Sequence, residues 1–303
     1  MSTAFLFPGQ GSQFVGMAKD LFDAFPQVQK TFNIANDVLG IDLSSIMFEG
    51  PKETLTQTQY TQPAIFVHSV IVTGILRKNG QKPSAVAGHS LGEFSALVCA
   101  DVLTFEDALK VVKVRSSEMA KAGDISPGSM AAILGANDDQ IKEICDQNGI
   151  VVPANLNAPG QLVISGEVDA VASAIDKAKS LGIRRALPLN VSGAFHSPLM
   201  GPARVPLSEV LNSVNFADAQ IPVYQNVTAK AVTNSRDIKA NILSQLESPV
   251  RWAETITNMY RDGVTSFREV GPSKVLQGLC KRILDQSQSS SIGTLEQVTE
   301  YAL

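Results

Sequence analysis

Short apolar runs alternate along the chain with segments whose apolar residues recur at spacings of three and four. Residues 3–7 (TAFLF), apolar after Thr3, and 85–87 (AVA) show the pattern of strands buried on both faces. Residues 27–39 and 64–78 carry the helical spacing within a mostly helical stretch over 16–80, with Pro26, Pro51 and Pro63 at breaks or first turns. His68 falls beside Val67, Val70 and Ile71 in the second of these patterns and reads as a packed core histidine. Residues 91–100 (LGEFSALVCA) predict a compact helix, and the next helix begins at Thr104. There, Thr104-Phe105-Glu106-Asp107 fits a capping box with Asp in place of Glu. Phe105, Ala108, Leu109, Val112, Ser116 and Met119 then trace one face.

The rhythm changes at 123–128 (GDISPG). Strands are predicted at 129–134, 150–156, 161–166 and 183–187, with helices at 137–147 and 167–181 and a hairpin turn over 155–161. That order, βαββαβ, is a ferredoxin-like unit over residues 123–193, inserted between 1–122 and 194–303. Strands return at 221–228 and 264–270, with helices at 235–246, from 248–252 to Tyr260, and from Gly271-Pro272-Ser273 to about Leu284. Strands alternating with helices imply an α/β core with a mostly parallel sheet covered on both faces. Ser287–Ser291 (SQSSS) reads as low-complexity sequence.

The stretch Gly88-His89-Ser90-Leu91-Gly92 joins a predicted strand to a predicted helix. A chain bending sharply there carries Ser90 at its tip, and the flanking glycines let strand and helix pass closely. The Leu91 N–H then opens a helix and is suited to a negative oxygen. A second loop, Pro8-Gly9-Gln10-Gly11-Ser12-Gln13, leaves the first strand, and its backbone near Gln10 can supply another donor. Of the three histidines, His68 is packed and His89 flanks the serine, so His196, in a loop before a helix, is the candidate base for Ser90. No aspartate is well placed to orient it, and a backbone carbonyl can do so instead. Arg115 sits at the edge of an apolar helix face, so it needs a partner. That partner is either a carboxylate of this chain or a substrate carboxylate held by the guanidinium fork.

Composition narrows the field. Lys+Arg 25 against Asp+Glu 29 gives net charge −4, without the basic footprint of a nucleic-acid binder. The chain is 44% hydrophobic, enough for a sizeable core. Cys99, Cys145 and Cys280 are isolated, with no metal or disulfide spacing. With no basic, apolar leader and no apolar run near ~18 residues, a cytoplasmic protein without metal or bound cofactor is expected.

Together the motifs PGQGSQ (8–13), GHSLGE (88–93), Arg115, NLNAPGQLVISG (155–166), GAFHS (193–197), QLESPVRW (245–252) and EVGP (269–272) resemble the malonyl-CoA:acyl carrier protein transacylases, over nearly all of the chain. The resemblance implies an α/β-hydrolase-like core with the ferredoxin-like insertion. It also implies ping-pong transfer of malonyl from malonyl-CoA to Ser90 and then to the phosphopantetheine thiol of acyl carrier protein, serving fatty acid biosynthesis. By matching position, Ser90 is the nucleophile, His196 the base and Arg115 the malonyl clamp. The backbone N–H groups of Gln10 and Leu91 form the oxyanion hole, and the main-chain carbonyl of Gln245 orients the histidine. Phe195 and Leu91 would crowd the acyl α-carbon, a discrimination of ~1–3 kcal/mol per methyl. Gly201, Pro202 and Pro206 interrupt what is usually one helix after His196, with a restart expected near Val205. Arg184, Arg185, Lys274, Lys281 and Arg282 are candidates for steering an acidic carrier protein, and a monomer is expected. An esterase, a silent carrier-protein-binding scaffold and a transferase for another dicarboxylic acyl-CoA are the competing readings. The first leaves Arg115 and the insertion without a purpose; intact Ser90, His196 and Arg115 speak against the second.

Overall fold

The computed structural model describes residues 2–285 and 287–302. In chain order the strands are β1 (Thr3–Phe7), β2 (Ala85–Gly88), β3 (Gly128–Leu134), β4 (Val151–Ala158), β5 (Gln161–Glu167), β6 (Arg185–Pro188), β7 (Val223–Tyr224), β8 (Ala231–Val232), β9 (Ser266–Val270) and β10 (Gln288–Ile292). They form two sheets. The larger has the order β10-β9-β1-β2-β7-β8 and is parallel except for β8. The smaller is antiparallel in the order β4-β5-β3-β6. Taken within its own four strands that order is 2-3-1-4, the ferredoxin-like arrangement.

Alternation along the central strands explains the layers. Phe5, Phe7 and Val86 face one side of the large sheet, packed with residues of the helices Pro26–Leu39, Thr58–Lys78, Gly92–Cys99 and Phe105–Ile125. Ala4, Leu6, Ala85 and Ala87 face the other, against the helices Trp252–Arg261 and Val275–Ile283. The small sheet has its own core, where Ala131, Ile133, Leu162 and Ile164 meet Ile144, Val171 and Ala174. His68 lies in the large core at 1% exposure, and its Nε2 donates to the Gly293 carbonyl at 2.7 Å.

Several boundaries differ from the sequence reading. The predicted turn over 155–161 is mostly strand, because β4 runs on to Ala158 with two irregularities in register and leaves Pro159-Gly160 to turn. The helix beginning after Thr104 continues to Ile125 and breaks only at Ser126-Pro127. Thr104 caps it by accepting from the Asp107 N–H. The helix expected over 235–246 ends at Ser244, and Gln245 is its cap. Ser-rich 288–292 is not featureless: it is edge strand β10, paired in parallel with β9, and the helix Leu295–Ala302 follows. After His196 the chain makes a 3₁₀ turn, Pro198–Ala203, and then the helix Arg204–Ser213. Pro206 is its third residue, where an absent N–H costs nothing.

Two glycines hold the elbow in shape. A Cβ on Gly88 would lie 1.8 Å from the Gly92 carbonyl carbon, and one on Gly92 would lie 2.0 Å from the Phe7 carbonyl oxygen. Gly74, in contrast, is exposed within the Thr58–Lys78 helix with no atom within 4 Å of an added Cβ. We therefore expect Gly92→Ala to lower unfolding free energy by about 2–3 kcal/mol and Gly74→Ala to raise it by about 0.5–1 kcal/mol. Denaturant titration of both variants checks the pair of signs.

Candidate active site

β1 and β2 are parallel neighbours with Phe7 opposite Gly88, so the loops that follow them leave the same edge of the sheet side by side. This is the carboxyl end of the parallel strands, where open α/β sheets bind ligands. Gln10 on the first loop and Leu91 at the start of the Gly92–Cys99 helix both line a cavity of about 410 Å³, together with Ser90, Arg115, Phe195 and His196. Among the described residues, neither the Gln10 nor the Leu91 backbone N–H donates to a protein acceptor.

Ser90 occupies the bend with φ 52°, a left-handed conformation that costs of order 1–3 kcal/mol outside glycine. Asn226 holds it there. The Asn226 Oδ1 accepts from the Ser90 N–H at 2.7 Å, and its Nδ2 donates to the Gly88 carbonyl at 2.7 Å. β7 ends at Tyr224, opposite Ala87, so this side chain continues the hydrogen bonding along β2 after the partner strand has stopped.

His196, 106 residues along the chain, reaches the serine: its Nε2 lies 2.8 Å from Ser90 Oγ. Its Nδ1 donates to the Gln245 carbonyl at 2.9 Å. A carbonyl only accepts, so the ring proton is on Nδ1 and Nε2 is left to accept from the hydroxyl. Burial, and then the charge of Arg115, push the imidazolium down to about 3. His89 turns away from the serine and donates through Nε2 to Asn157 Oδ1 at 2.8 Å, on strand β4.

Arg115 is 1% exposed. Its Nη1 donates to Gln62 Oε1 at 2.7 Å, and its Nη2 to Gln245 Oε1 at 2.8 Å and to Ser90 Oγ at 3.1 Å. The guanidinium stands 5.6 Å from the Phe94 ring centroid. Among the described residues it makes no direct ion pair. Of the two partners open to it in sequence, a contacting carboxylate of this chain is therefore absent. Amide oxygens hold the charge instead, and burial lowers it to about 10 against the pull of Glu93. Glu93, 1% exposed, accepts from the Asn226 N–H at 2.9 Å and from Gln245 Nε2. Burial raises its pKa above the ordinary carboxylate value, opposed by those two bonds and by Arg115.

Ser90, His196, Arg115, Gln245, Gln10, Leu91 and Phe195 thus meet around one cavity or its immediate support. Sequence reasoning passed over Gln62 and Asn226 and gave Glu93 no task. Asn226 had one signal, its place in a polar turn just beyond a strand. Gln62 had the signal of a polar residue at the start of an apolar helical pattern.

The acyl transferase domain family matches residues 4–301. A malonyl CoA-acyl carrier protein transacylase of Bacillus subtilis (strain 168) is 46% identical over 284 residues, spanning 92% of this chain and 90% of that protein. The solved acyl carrier protein S-malonyltransferase of Vibrio cholerae O1 biovar eltor superposes with TM-score 0.95 at 42% identity, covering 99% of each chain. A malonyl-transacylase solved in complex with a type II PKS acyl-carrier protein gives TM-score 0.95 at 42% identity, over 100% of this chain and 99% of that one. An α/β core carrying a second antiparallel sheet, the serine elbow and the buried arginine agree with this likeness along the whole length: the chain belongs to the acyl transferase family, among the malonyl CoA-acyl carrier protein transacylases.

Proposed function

We propose that this protein moves a malonyl group from malonyl-CoA to the phosphopantetheine thiol of an acyl carrier protein, through an ester on Ser90, and so supplies fatty acid biosynthesis. The observation that carries the reading is the meeting of three groups in one cavity: a hydroxyl 2.8 Å from an imidazole and 3.1 Å from a buried guanidinium. The first two perform acyl transfer, and the third selects an acyl group with an acid tail.

In the first half-reaction His196 Nε2 takes the hydroxyl proton as Ser90 Oγ attacks the thioester carbonyl. The Gln10 and Leu91 N–H groups hold the oxygen that becomes negative. The intermediate collapses by breaking the carbon–sulfur bond, and CoA leaves as the thiol with the proton from His196. In the second half-reaction the carrier thiol gives its proton to His196, and its sulfur attacks the ester carbonyl. Ser90 departs and recovers the proton. The Gln245 carbonyl keeps the imidazole in the required tautomer throughout and favours the imidazolium that forms between transfers. Arg115 turns from its amide partners to grip the malonyl carboxylate, and Phe195, 6% exposed, forms an apolar wall beside the histidine.

The sheets divide the work: residues 1–122 and 194–303 form the catalytic unit, and 123–193 the smaller unit over the cavity. Among the described residues no helix is long and apolar enough to cross a membrane, and we take the protein to act as a cytoplasmic monomer with no bound cofactor. Lys281 and Arg282 are exposed on the Val275–Ile283 helix, whose other residues Val275, Leu276 and Leu279 line the cavity. Arg282 also donates to Gln161 Oε1 at the cavity edge, at 2.9 Å. An acidic carrier protein arriving there would bring its thiol arm to the opening.

Three outcomes test this assignment. Arg115→Ala should lower malonyl transfer on the order of a hundredfold, the loss of two charge-assisted hydrogen bonds of roughly 1.5 kcal/mol each, and should lower acetyl transfer less. Parallel assays with malonyl-CoA and acetyl-CoA measure the ratio, and an unchanged malonyl preference removes the clamp. Because the His196 pKa is depressed, the neutral base persists as pH falls through the usual histidine range. The rate of Ser90 acylation should stay flat down to about pH 5, with no limb near the ordinary value of 6.5. Replacing Lys281 and Arg282 by Glu should slow transfer to carrier protein and leave acylation by malonyl-CoA unchanged; equal loss of both steps defeats the docking assignment.

A further inference from the structure

The Ser90–His196 pair has no carboxylate in contact with the imidazole, yet a buried carboxylate lies one residue beyond each atom that positions it. Glu93 Oε1 accepts the backbone N–H of Asn226 at 2.9 Å, and its Oε2 accepts Gln245 Nε2. Asn226 grips the elbow on either side of His89, at the Gly88 carbonyl and the Ser90 N–H. Gln245 carries the carbonyl that receives the His196 Nδ1–H, and its Nε2 also donates to the Ser90 carbonyl at 3.0 Å. The two clamps come from distant parts of the chain, the end of β7 and the end of the Ser235–Ser244 helix. Ser90 itself is bonded to both clamps, through its N–H and its carbonyl, and Glu93 is the side chain that joins the same two from behind.

We propose that Glu93 is the positioning carboxylate of this active site, setting the separation of Ser90 Oγ and His196 Nε2 by holding Asn226 and Gln245 at once. It does not touch substrate and it does not touch the imidazole. The proposal rests on the reading of Ser90 and His196 as nucleophile and base.

The chemistry requires an acceptor at both oxygens. Gln245 presents its amide nitrogen to Glu93 because its amide oxygen is taken by Arg115 and because the Ser90 carbonyl needs a donor. Asn226 presents a backbone N–H, which has no other role. A carboxylate satisfies both at once. A primary amide of the same shape cannot, since it offers one oxygen and one N–H₂, so one of the two clamps faces a donor. A buried donor facing a donor moves apart or loses its bond, at the cost of an unsatisfied group. Either way one member of the dyad shifts, and a displacement near 1 Å is enough to cost roughly a hundredfold in rate.

Glu93→Gln is the direct test, read by mass spectrometry of Ser90 acylation in quenched single turnovers with malonyl-CoA and with acetyl-CoA. We expect the maximal acylation rate to fall roughly ten- to hundredfold for both acyl groups. The malonyl to acetyl ratio and the concentration giving half-maximal rate should change by less than about threefold, because Arg115 keeps its other amide partner. The same substitution made in His196→Ala should add little further loss, since residues acting as one unit are not additive. A full acylation rate in Glu93→Gln, or a loss that multiplies undiminished onto His196→Ala, overturns the proposal and marks Glu93 as merely structural. If Glu93→Gln does not fold, Gln245→Met followed with acetyl-CoA breaks the same link while keeping the main-chain carbonyl, and a full rate there is equally fatal. Failure of the wild-type protein to take up an acyl group on Ser90 would instead defeat the functional reading itself.

Discussion

Everything at the cavity depends on a backbone bend that the chain does not adopt willingly. Ser90 lies at φ 52° between a strand and a helix that nearly collide, and glycines at 88 and 92 are what allow the collision to be avoided. The strain is held in place by structure on both sides. β1 runs beside β2 on one flank, where the His89 N–H donates to the Phe7 carbonyl at 2.9 Å. On the other flank Asn226 supplies the pair of hydrogen bonds that the short β7 does not. A serine hydroxyl fixed this firmly needs no reorganisation when it attacks, which is where electrostatic preorganisation gains its effect.

The second constraint is electrostatic. A guanidinium at 1% exposure would be ruinous without partners, and a contacting carboxylate would neutralise it. Gln62 and Gln245 offer a middle course. Their oxygens solvate the charge but leave it unneutralised at close range, available to an incoming acid tail. Burial, and after it the same positive charge, keeps His196 neutral, the form its proposed role as base requires. Gln245 serves both sides: its carbonyl holds the imidazole and its side chain holds the arginine. In the proposed function, substrate selection and proton transfer therefore share one scaffold residue.

The small sheet is joined to the large unit by backbone and side-chain bonds. The Leu156 N–H donates to the Val250 carbonyl and the Val250 N–H to the Ala154 carbonyl, each at 2.8 Å. His89, adjacent to the nucleophile, bonds Asn157 on the same strand. These ties fix β4 against the segment leading into Trp252, which is fully buried under the sheet. The cavity is thus walled by elements of both sheets, with Met130 and Val163 from the small one and Leu276 and Leu279 from the helix beside the large one.

Local sequence determined a good deal. Gly-x-Ser-x-Gly between a β-patterned run and a helical one predicts the elbow, because strand and helix can pass this closely only where glycines stand at 88 and 92. The apolar periodicities of 64–78 and 105–119 dictate helices, and the βαββαβ rhythm dictates the small sheet. Edge strand β10 was hidden because its serines, partly exposed, carry no apolar pattern; its existence is decided by backbone bonds to β9. Asn226 was illegible for a related reason, and Gln245 was reached only through the family resemblance: what matters in each is a backbone or amide group whose partner lies more than 40 residues away. Glu93 sat in plain view within the motif, but a carboxylate in the first turn of a helix reads as an exposed residue until the fold buries it. Composition and local pattern determine elements and the nucleophile's bend; only the assembled sheet brings Ser90, His196, Arg115 and their amide supports within bonding distance, because hydrogen bonds act over a few ångströms and are blind to separation along the chain.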